Sequence, residues 1–282
     1  MSAPHIIHPR ISEKAAFGLL WAGTAAVVLP IVGIMIYMLV RGARALNWQL
    51  ITSTQGGLLP AIVGTIALVL LTALIAAPLG VLAAIYLSEY AGQGRLVRLV
   101  RLAIVNLAGV PSVVYGLFGL ALFVVLLHFG RCLAAGACTL ALLVLPLVIS
   151  TSEEALRQVP RGLREGSLAL GATRWQTVRR VVLPNAMPGI ITALILSIGR
   201  AAGETAPILF TAAFYSLTHP YPKSPFDAIL ALPYQLYVMA TEAPDVQAAT
   251  KWATAVVLVV LVLGMNLTAT VVRARLRRRA RW

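Results

Sequence analysis

An arginine and a glutamate inside an otherwise apolar stretch have the clearest potential for chemistry. The segment PGIITALILSIGRAAGETAPILFTAAF (188–214) contains Arg200 and, four residues later, Glu204. A helix rising 1.5 Å per residue places Arg200 about 18 Å beyond Pro188, near the middle of a bilayer. A charged side chain there costs at least about 2.5–3.5 kcal/mol on insertion scales. Arg200 is therefore expected to face the protein interior or a water-filled path.

The chemistry that this pair suits is the passage of an anion. Guanidinium is permanently charged, and its planar fork fits a tetrahedral oxyanion better than the point charge of a lysine does. Glu204, on the same helical face, would hold Arg200 and offset its charge, so that an anion is attracted without being trapped. Ser197 and Thr211 would extend a polar stripe along that face. The alternative is a neutralised ion pair that only stabilises the helix bundle.

The composition requires elements that span a membrane. The 282 residues are 60% hydrophobic and 11% charged, with a mean hydropathy of +0.89, whereas soluble domains carry roughly 25% charged residues. The net charge of +14 comes from basic residues that flank apolar runs. Nucleic-acid binding is therefore not expected, because almost no soluble surface remains to carry it.

Six apolar stretches near twenty residues long predict helical spans, and with them an all-α membrane protein. They cover 15–40, 61–87, 102–127, 134–152, 188–213 and 252–272, the fourth being the least certain. The first stretch is too long for a cleaved signal and should remain as a span. Placing both termini in the cytoplasm puts 17 of the 23 Lys and Arg residues on the inner side, as the positive-inside rule requires.

Three regions follow from these spans. Residues 1–14 are a cytoplasmic tail, residues 15–272 form one transmembrane domain, and residues 273–282 are a basic cytoplasmic tail. Prolines within the spans, among them Pro111 and Pro207, should kink the helices without ending them.

The longest inner loop, residues 153–187, has the signals of two short helices. One runs from about Arg161 to Leu170 and stops at Gly171, and the other begins at Arg174 and stops before Pro184. Thr173 and Gln176 predict a capping box for the second helix. The loop is therefore structured. An amphipathic hairpin on the lipid headgroups is the alternative.

The same loop resembles the EAA loop of ABC importer permeases, E-A-A-x-x-x-G followed after nine residues by I-x-L-P. Glu165, Gly166, Ser167, Gly171, Leu183 and Pro184 occupy the pattern, with Gly166 and Ser167 replacing the alanines and Val181 replacing isoleucine. The resemblance implies that this loop, with Arg164, docks as a coupling helix into a cytoplasmic ATPase subunit. The chain has no P-loop, because none of its lysines follows a glycine. It is not an enzyme and binds no cofactor; the partner would use ATP and Mg²⁺.

Three further stretches resemble the A-type permease of phosphate-specific ABC importers, the PstA-like family. They are GGLLPAIVGT (56–65), NLAGVPSVVYGLFGLA (106–121) and GRAAGETAPILFTA (199–212). The resemblance implies a six-helix permease core of the MetI-like type with Arg200 as the translocation arginine, and its motif adds Thr205 to the site. The implied partners are a homologous C-type permease, two copies of the ATPase subunit, an external phosphate-binding protein facing the outer loop (about 214–250), and membrane lipid.

Other readings remain open. Sulfate and molybdate permeases share the EAA loop and also move oxyanions. A secondary transporter driven by an ion gradient would use Glu204 as a proton carrier, but paired broken helices are not evident in the sequence. An intramembrane enzyme is remote, because the four histidines (His5, His8, His128, His219) lie in terminal segments or loops. Cys132 and Cys138 are two small apolar residues or, in an oxidising compartment, a disulfide. No metal site is expected.

Overall fold

The chain folds into an all-α bundle, as its apolar periodicity predicts. The computed structural model describes residues 9–54, 56–92, 94–214 and 220–279. His5, His8, His219 and part of both predicted tails and of the outer loop lie outside these ranges. The helices, in chain order, are α1 (Pro9–Ala43), α2 (Trp48–Thr52), α3 (Leu59–Ile85), α4 (Arg95–Ala108), α5 (Ser112–Gly119), α6 (Leu133–Arg157), α7 (Arg161–Ala169), α8 (Arg174–Thr177), α9 (Leu183–Gly203), α10 (Ala206–Thr211), α11 (Leu232–Thr241) and α12 (Ala248–Arg279).

Wider, π-helical turns continue three of these helices. They cover Tyr86–Tyr90 after α3, Leu120–Leu126 after α5 and Val178–Val182 between α8 and α9. Turns of this kind are rare and often lie at functional sites.

Among the described residues, five helical stretches are long and apolar enough to cross a membrane, or six if one bent pair is a single span. The five are Ala16–Ala43, Leu59–Tyr90, Leu133–Arg157, Arg174–Gly203 and Ala248–Arg275. The first, second, fourth and sixth predicted spans each coincide with one of them.

The third predicted span, 102–127, is not one helix. α4 ends at Ala108 and α5 begins at Ser112, and the two axes are bent by 103°. Pro111 causes the break, because a proline disfavours helical geometry in the preceding residue and cannot donate to the helix before it. The interpretation of Pro111 as a simple kink was therefore wrong.

The fifth predicted span, 188–213, is also broken. α9 ends at Gly203 and α10 starts at Ala206, with Glu204 in an extended conformation between them. A continuous helix would press the ring of Pro207 against the carbonyl of Gly203, four residues earlier. The prolines inside α1, α3, α6 and α9 do not end their helices.

The least certain predicted span turns out to be the central helix. α6 is the most buried of the five stretches, with 67% of its most apolar window inside the protein. Gly80 lets α3 lie directly against Val148 of α6, and Gly119 does the same for α5 against Thr139. α1 lies at the edge, where Tyr37 meets Trp252 of α12 edge to face.

The two ends of the bundle are built differently. At the loop end, an ion pair between Glu89 and Arg164 links residues 86–92 to residues 157–182. At the opposite end, backbone hydrogen bonds from Leu133 to the carbonyl of Asp227 (2.9 Å) and from Ala134 to that of Pro225 (2.7 Å) fasten the outer segment over α6. Cys132 caps α6 with its sulfur, and both it and Cys138 are free thiols, so the possible disulfide is absent.

Candidate functional site

Arg200 and Glu204 lie at the break between α9 and α10. Nε of Arg200 is 3.6 Å from Oε1 of Glu204, beyond hydrogen-bonding distance. The arginine side chain is 39% exposed and the glutamate side chain 17% exposed. Because Glu204 has left the helix, the pair is not held by helical spacing. The contact is therefore loose, and the exposed part of the Arg200 side chain is accessible to another group.

The other predicted hydroxyls are divided between two environments. Ser197 donates to the carbonyl of Ala193 (2.8 Å) and Thr211 to that of Pro207 (2.8 Å), and both are buried in the bundle. Thr205 is half-buried at the break itself. A continuous polar stripe was therefore the wrong geometry, because the helix on which it depended ends at Gly203. Of the three hydroxyl residues, Thr205 lies nearest to the pair in sequence.

A second broken helix packs beside the first. A Cβ at Gly116 of α5 would lie 2.8 Å from the ring of Phe210 and 3.0 Å from the carbonyl of Ala206, both in α10. The neighbouring Tyr115 donates to the carbonyl of Leu107 (2.9 Å), and so ties α5 to the end of α4. In a membrane, non-helical backbone is tolerated only where protein covers it or where it lines a cavity. The two adjacent helix breaks therefore indicate that this region is covered by protein or lines a cavity.

Two glycines near the end of α9, Gly199 and Gly203, have different surroundings. A Cβ at Gly199 would lie 2.7 Å from the side-chain oxygen of Asn266 in α12. At Gly203, no described atom outside its own helix would lie within 4 Å of a Cβ. Gly199 therefore serves helix packing.

The 153–187 loop contains the two predicted helices. α7 ends at Ala169, and Gly171 follows with a φ of +83°, a conformation that glycine adopts without strain. The capping box is confirmed, with Thr173 and Gln176 bonding each other's backbone N–H groups. The hydroxyls of Ser167 and Thr177 lie 2.9 Å apart and join the two helices.

The second loop helix does not stop before Pro184, contrary to the prediction. It passes through the wide turn Val178–Val182 into α9, so that Leu183 and Pro184 form the first turn of α9. The widened turn gives the proline room against the preceding carbonyls. The loop and the helix that carries Arg200 are consequently one continuous rod from Arg174 to Gly203.

The side of the 153–187 loop that faces away from the helix bundle offers a surface to a partner. Glu165 and Gly166 are exposed. Leu168, Leu170 and Trp175 are 45%, 91% and 54% exposed, so the loop presents apolar groups that its own fold leaves uncovered. A docking protein or a layer of headgroups would suit this surface equally well.

Arg164, by contrast, faces inward. Its guanidinium donates to both carboxylate oxygens of Glu89, at 2.8 and 3.1 Å, and to the carbonyls of Leu156 and Val159. Sequence reasoning missed Glu89, because 75 residues separate it from Arg164. The available signal was an acidic residue at the end of an apolar run that faces a basic loop.

A second cluster of charges lies beside this pair. Glu153 accepts from Nε of Arg101 at 3.0 Å and from Nη2 of Arg157 at 2.7 Å, and Nη2 of Arg101 donates to the carbonyl of Leu87. A cleft of about 510 Å³ opens between the two clusters. Its charged lining comes from Glu89, Arg101, Arg157, Arg161, Arg164 and Glu165.

The sequence of this chain matches a known family over most of its length. The profile described as "Binding-protein-dependent transport system inner membrane component" matches residues 76–282. The chain is 35% identical over 289 aligned residues to "Phosphate transport system permease protein PstA 1" of Mycobacterium tuberculosis, an alignment that covers 99% of this chain and 92% of the relative. It is 34% identical to "Probable ABC transporter permease protein YqgI" of Bacillus subtilis, covering 92% and 94%.

Solved structures support the fold. The bundle matches an ABC transporter involved in the import of the acidic polysaccharide alginate with a TM-score of 0.68 at 16% identity, covering 94% of this chain and 99% of the other. It matches an inward-facing MetNI methionine ABC transporter with a TM-score of 0.58 at 21% identity, covering 86% and 97%. The chain therefore belongs to the family of binding-protein-dependent transport system inner membrane components: it is a non-catalytic, multi-pass ABC importer permease, PstA-like in sequence.

Proposed function

We propose that this permease carries inorganic phosphate into the cytoplasm by alternating access. Several relatives with 32–35% identity are named phosphate permeases, from Mycobacterium tuberculosis to Haemophilus influenzae. The observation that carries the proposal is the partly exposed side chain of Arg200 (39%), which lies 3.6 Å from Glu204 without a hydrogen bond.

The exposure of Arg200 is informative because of its depth. A charged group facing hydrocarbon is unfavourable by several kcal/mol, so this surface must be covered by protein or water in the assembled transporter. Arginine can offer a phosphate oxyanion two parallel hydrogen bonds. Glu204, near but not bonded, lowers the net charge so that the anion can leave again.

The proposed assembly follows from the family. This chain would pair with a homologous C-type permease, with the Arg200 surfaces facing a shared path. Two ATPase subunits would bind the 153–187 loops and use ATP with Mg²⁺, while an external phosphate-binding protein would dock on the outer loop. In this arrangement the bundle crosses the membrane six times, with both termini cytoplasmic and lipid around its rim.

Uptake of radiolabelled phosphate tests the substrate. Cells that express the full set of subunits should accumulate phosphate, and unlabelled phosphate should compete far better than sulfate or molybdate. Stronger competition by sulfate or molybdate would replace phosphate with that oxyanion, since Arg200 suits any tetrahedral oxyanion. Uptake that persists without the ATPase subunit would contradict the ATP-driven mechanism.

Co-purification tests the loop. The chain should bring down the ATPase subunit, and deletion of residues 164–171 should abolish that association. The matched control is Arg44→Gln, a charge change at an exposed position far from the loop in sequence. Retained association after the deletion would contradict the assignment of a coupling loop.

A further inference from the structure

We propose that Glu89 is a positioning residue that transmits movement of the 153–187 loop to the second and third membrane segments. The inference rests on the proposed function in one respect, that the ATPase moves this loop. Its structural basis is the ion pair between Glu89, in the wide turn that follows α3, and Arg164 in α7.

The geometry of the pair is suited to transmitting force. Nη2 of Arg164 donates to Oε1 of Glu89 at 2.8 Å, and Nε donates to Oε2 at 3.1 Å. Two parallel hydrogen bonds define orientation as well as distance. The side chains are only 19% and 10% exposed, so water competes poorly for the contact.

Arg164 also joins a third element to the pair. Its remaining donors reach the carbonyls of Leu156 (2.8 Å) and Val159 (2.5 Å), at the C-terminal end of the central helix α6. Leu156 lies in the last turn of α6 and Val159 two residues beyond its end, where the regular helical acceptors run out, although the carbonyl of Leu156 also accepts from the N–H of Val159 (3.3 Å). The Arg164 guanidinium thus joins α7 to the end of α6 and to the turn that follows α3. A displacement of α7 must therefore move these two elements or break the hydrogen bonds.

The wide turn Tyr86–Tyr90 carries the connection further. The carbonyl of Leu87 in this turn accepts a hydrogen bond from Nη2 of Arg101 (2.8 Å). Arg101 belongs to α4, which leads through the 103° bend into α5, and α5 packs on α10 beside Arg200. The two residues Leu87 and Glu89 therefore connect the loop to both broken helices.

Three variants test this role in the complete transporter. Glu89→Gln removes the charge, while Glu89→Asp and Arg164→Lys keep the charges but lose the paired hydrogen bonds. Glu13→Gln is the control, because Glu13 is an exposed acidic residue of α1 that lies outside the 153–187 loop. For each variant, phosphate uptake, ATP hydrolysis and co-purified ATPase subunit are measured together.

The expected result is uncoupling. Uptake falls about tenfold in Glu89→Gln, since one charge-assisted contact is worth a factor of this order. Uptake falls by a smaller factor in Glu89→Asp and Arg164→Lys, and the control is unchanged. ATP hydrolysis and the co-purified subunit are retained, so more ATP is consumed per phosphate. A residue that only supports the fold would lower uptake, hydrolysis and co-purification together.

Two results would overturn the inference. The first is normal uptake in all three variants. The second is an equal loss of uptake and ATP hydrolysis in Glu89→Asp and Arg164→Lys, since these two variants retain a buried ion pair and therefore the fold. Failure of the proposed function gives a different pattern. A transporter that prefers another oxyanion refutes phosphate, while the same variants assayed with that oxyanion still decide the role of Glu89.

Discussion

Two arginine–glutamate pairs in this protein use the same groups in opposite ways. Arg164 donates four hydrogen bonds, two of them to Glu89, and is 19% exposed. Arg200 lies 3.6 Å from Glu204 and is 39% exposed. The first pair is closed because its donors are used within the chain, whereas the second leaves donors for a ligand.

The difference follows from backbone context. Glu89 remains in a helical turn that directs it at α7, and helix-end carbonyls complete the shell around Arg164. Glu204 sits in extended backbone after α9 has ended, so it approaches Arg200 without locking it. The closed pair, Arg164 and Glu89, therefore suits stabilising the fold and transmitting movement, whereas the open pair, Arg200 and Glu204, suits binding and releasing a ligand.

Arg200→Gln should show the largest effect on transport. Removing the open guanidinium takes away a charge-assisted contact of about 3 kcal/mol, and uptake should fall on the order of 100-fold. Thermal stability and co-purification of the ATPase should stay unchanged, because the pair contributes little to the fold. Arg44→Gln is the control. Normal transport in this variant would contradict a role of Arg200 in binding the anion, and a loss of stability would mean that its contact with Glu204 supports the fold.

Gly116→Val should have the next largest effect. Its Cβ would meet Phe210 and the Ala206 carbonyl, and so push α10 away from α5 beside the open pair. Misplacing a binding group by a fraction of an ångström should lower uptake about tenfold. Gly264→Val is the control, because no described atom outside its helix lies within 4 Å of the position of its Cβ. Equal uptake in the two variants would contradict the importance of the paired breaks.

Glu153→Gln should lower stability more than transport. It removes both ion pairs at the second cluster, but Arg101 and Arg157 are 33% and 50% exposed, so water replaces part of each contact. We expect a loss of about 1–2 kcal/mol, seen as a lower melting temperature of the purified protein. Glu154→Gln should leave it unchanged. A larger fall in uptake than in stability would mean that this cluster also transmits movement.

Thr173→Ala should have the smallest effect. It removes the capping box at the start of the rod that reaches Gly203, at a cost of about 1 kcal/mol that is confined to the first turn. Uptake should change less than twofold, and Thr24→Ala in α1, an exposed threonine whose hydroxyl donates to its own helix, is the control. A larger fall would show that the loop end of the rod must be well ordered for coupling.

The sequence predicted the elements of this protein better than their directions. Hydropathy located the spans because lipid requires long apolar helices. The capping box of Thr173 and Gln176 was predictable because it depends only on two residues three positions apart. It could not tell that Pro111 and Pro207 end helices while Pro146 does not. That outcome depends on whether surrounding helices compensate the lost backbone hydrogen bond.

The candidate site was predicted in identity but not in arrangement. Arg200 and Glu204 stand out because charge is costly inside an apolar run, a property of composition alone. Three features arise only from contacts in the folded chain: the long distance between Arg200 and Glu204, the burial of Ser197 and the hydrogen bonds between Glu89 and Arg164. Helical spacing cannot supply such contacts, since it relates only residues within one unbroken helix.

The bend at Pro111 has a consequence for the surroundings of the protein. If α5 stands upright in the bilayer, the 103° bend directs α4 along the membrane surface; Leu96, Leu99 and Val105 are exposed on α4, which also carries Arg95 and Arg98. An amphipathic, basic helix in that position would rest among lipid headgroups, and acidic lipids would hold it more firmly than neutral ones. Because Arg101 of α4 donates to the carbonyl of Leu87, the lipid composition of the leaflet would then affect the position of the turn at Leu87.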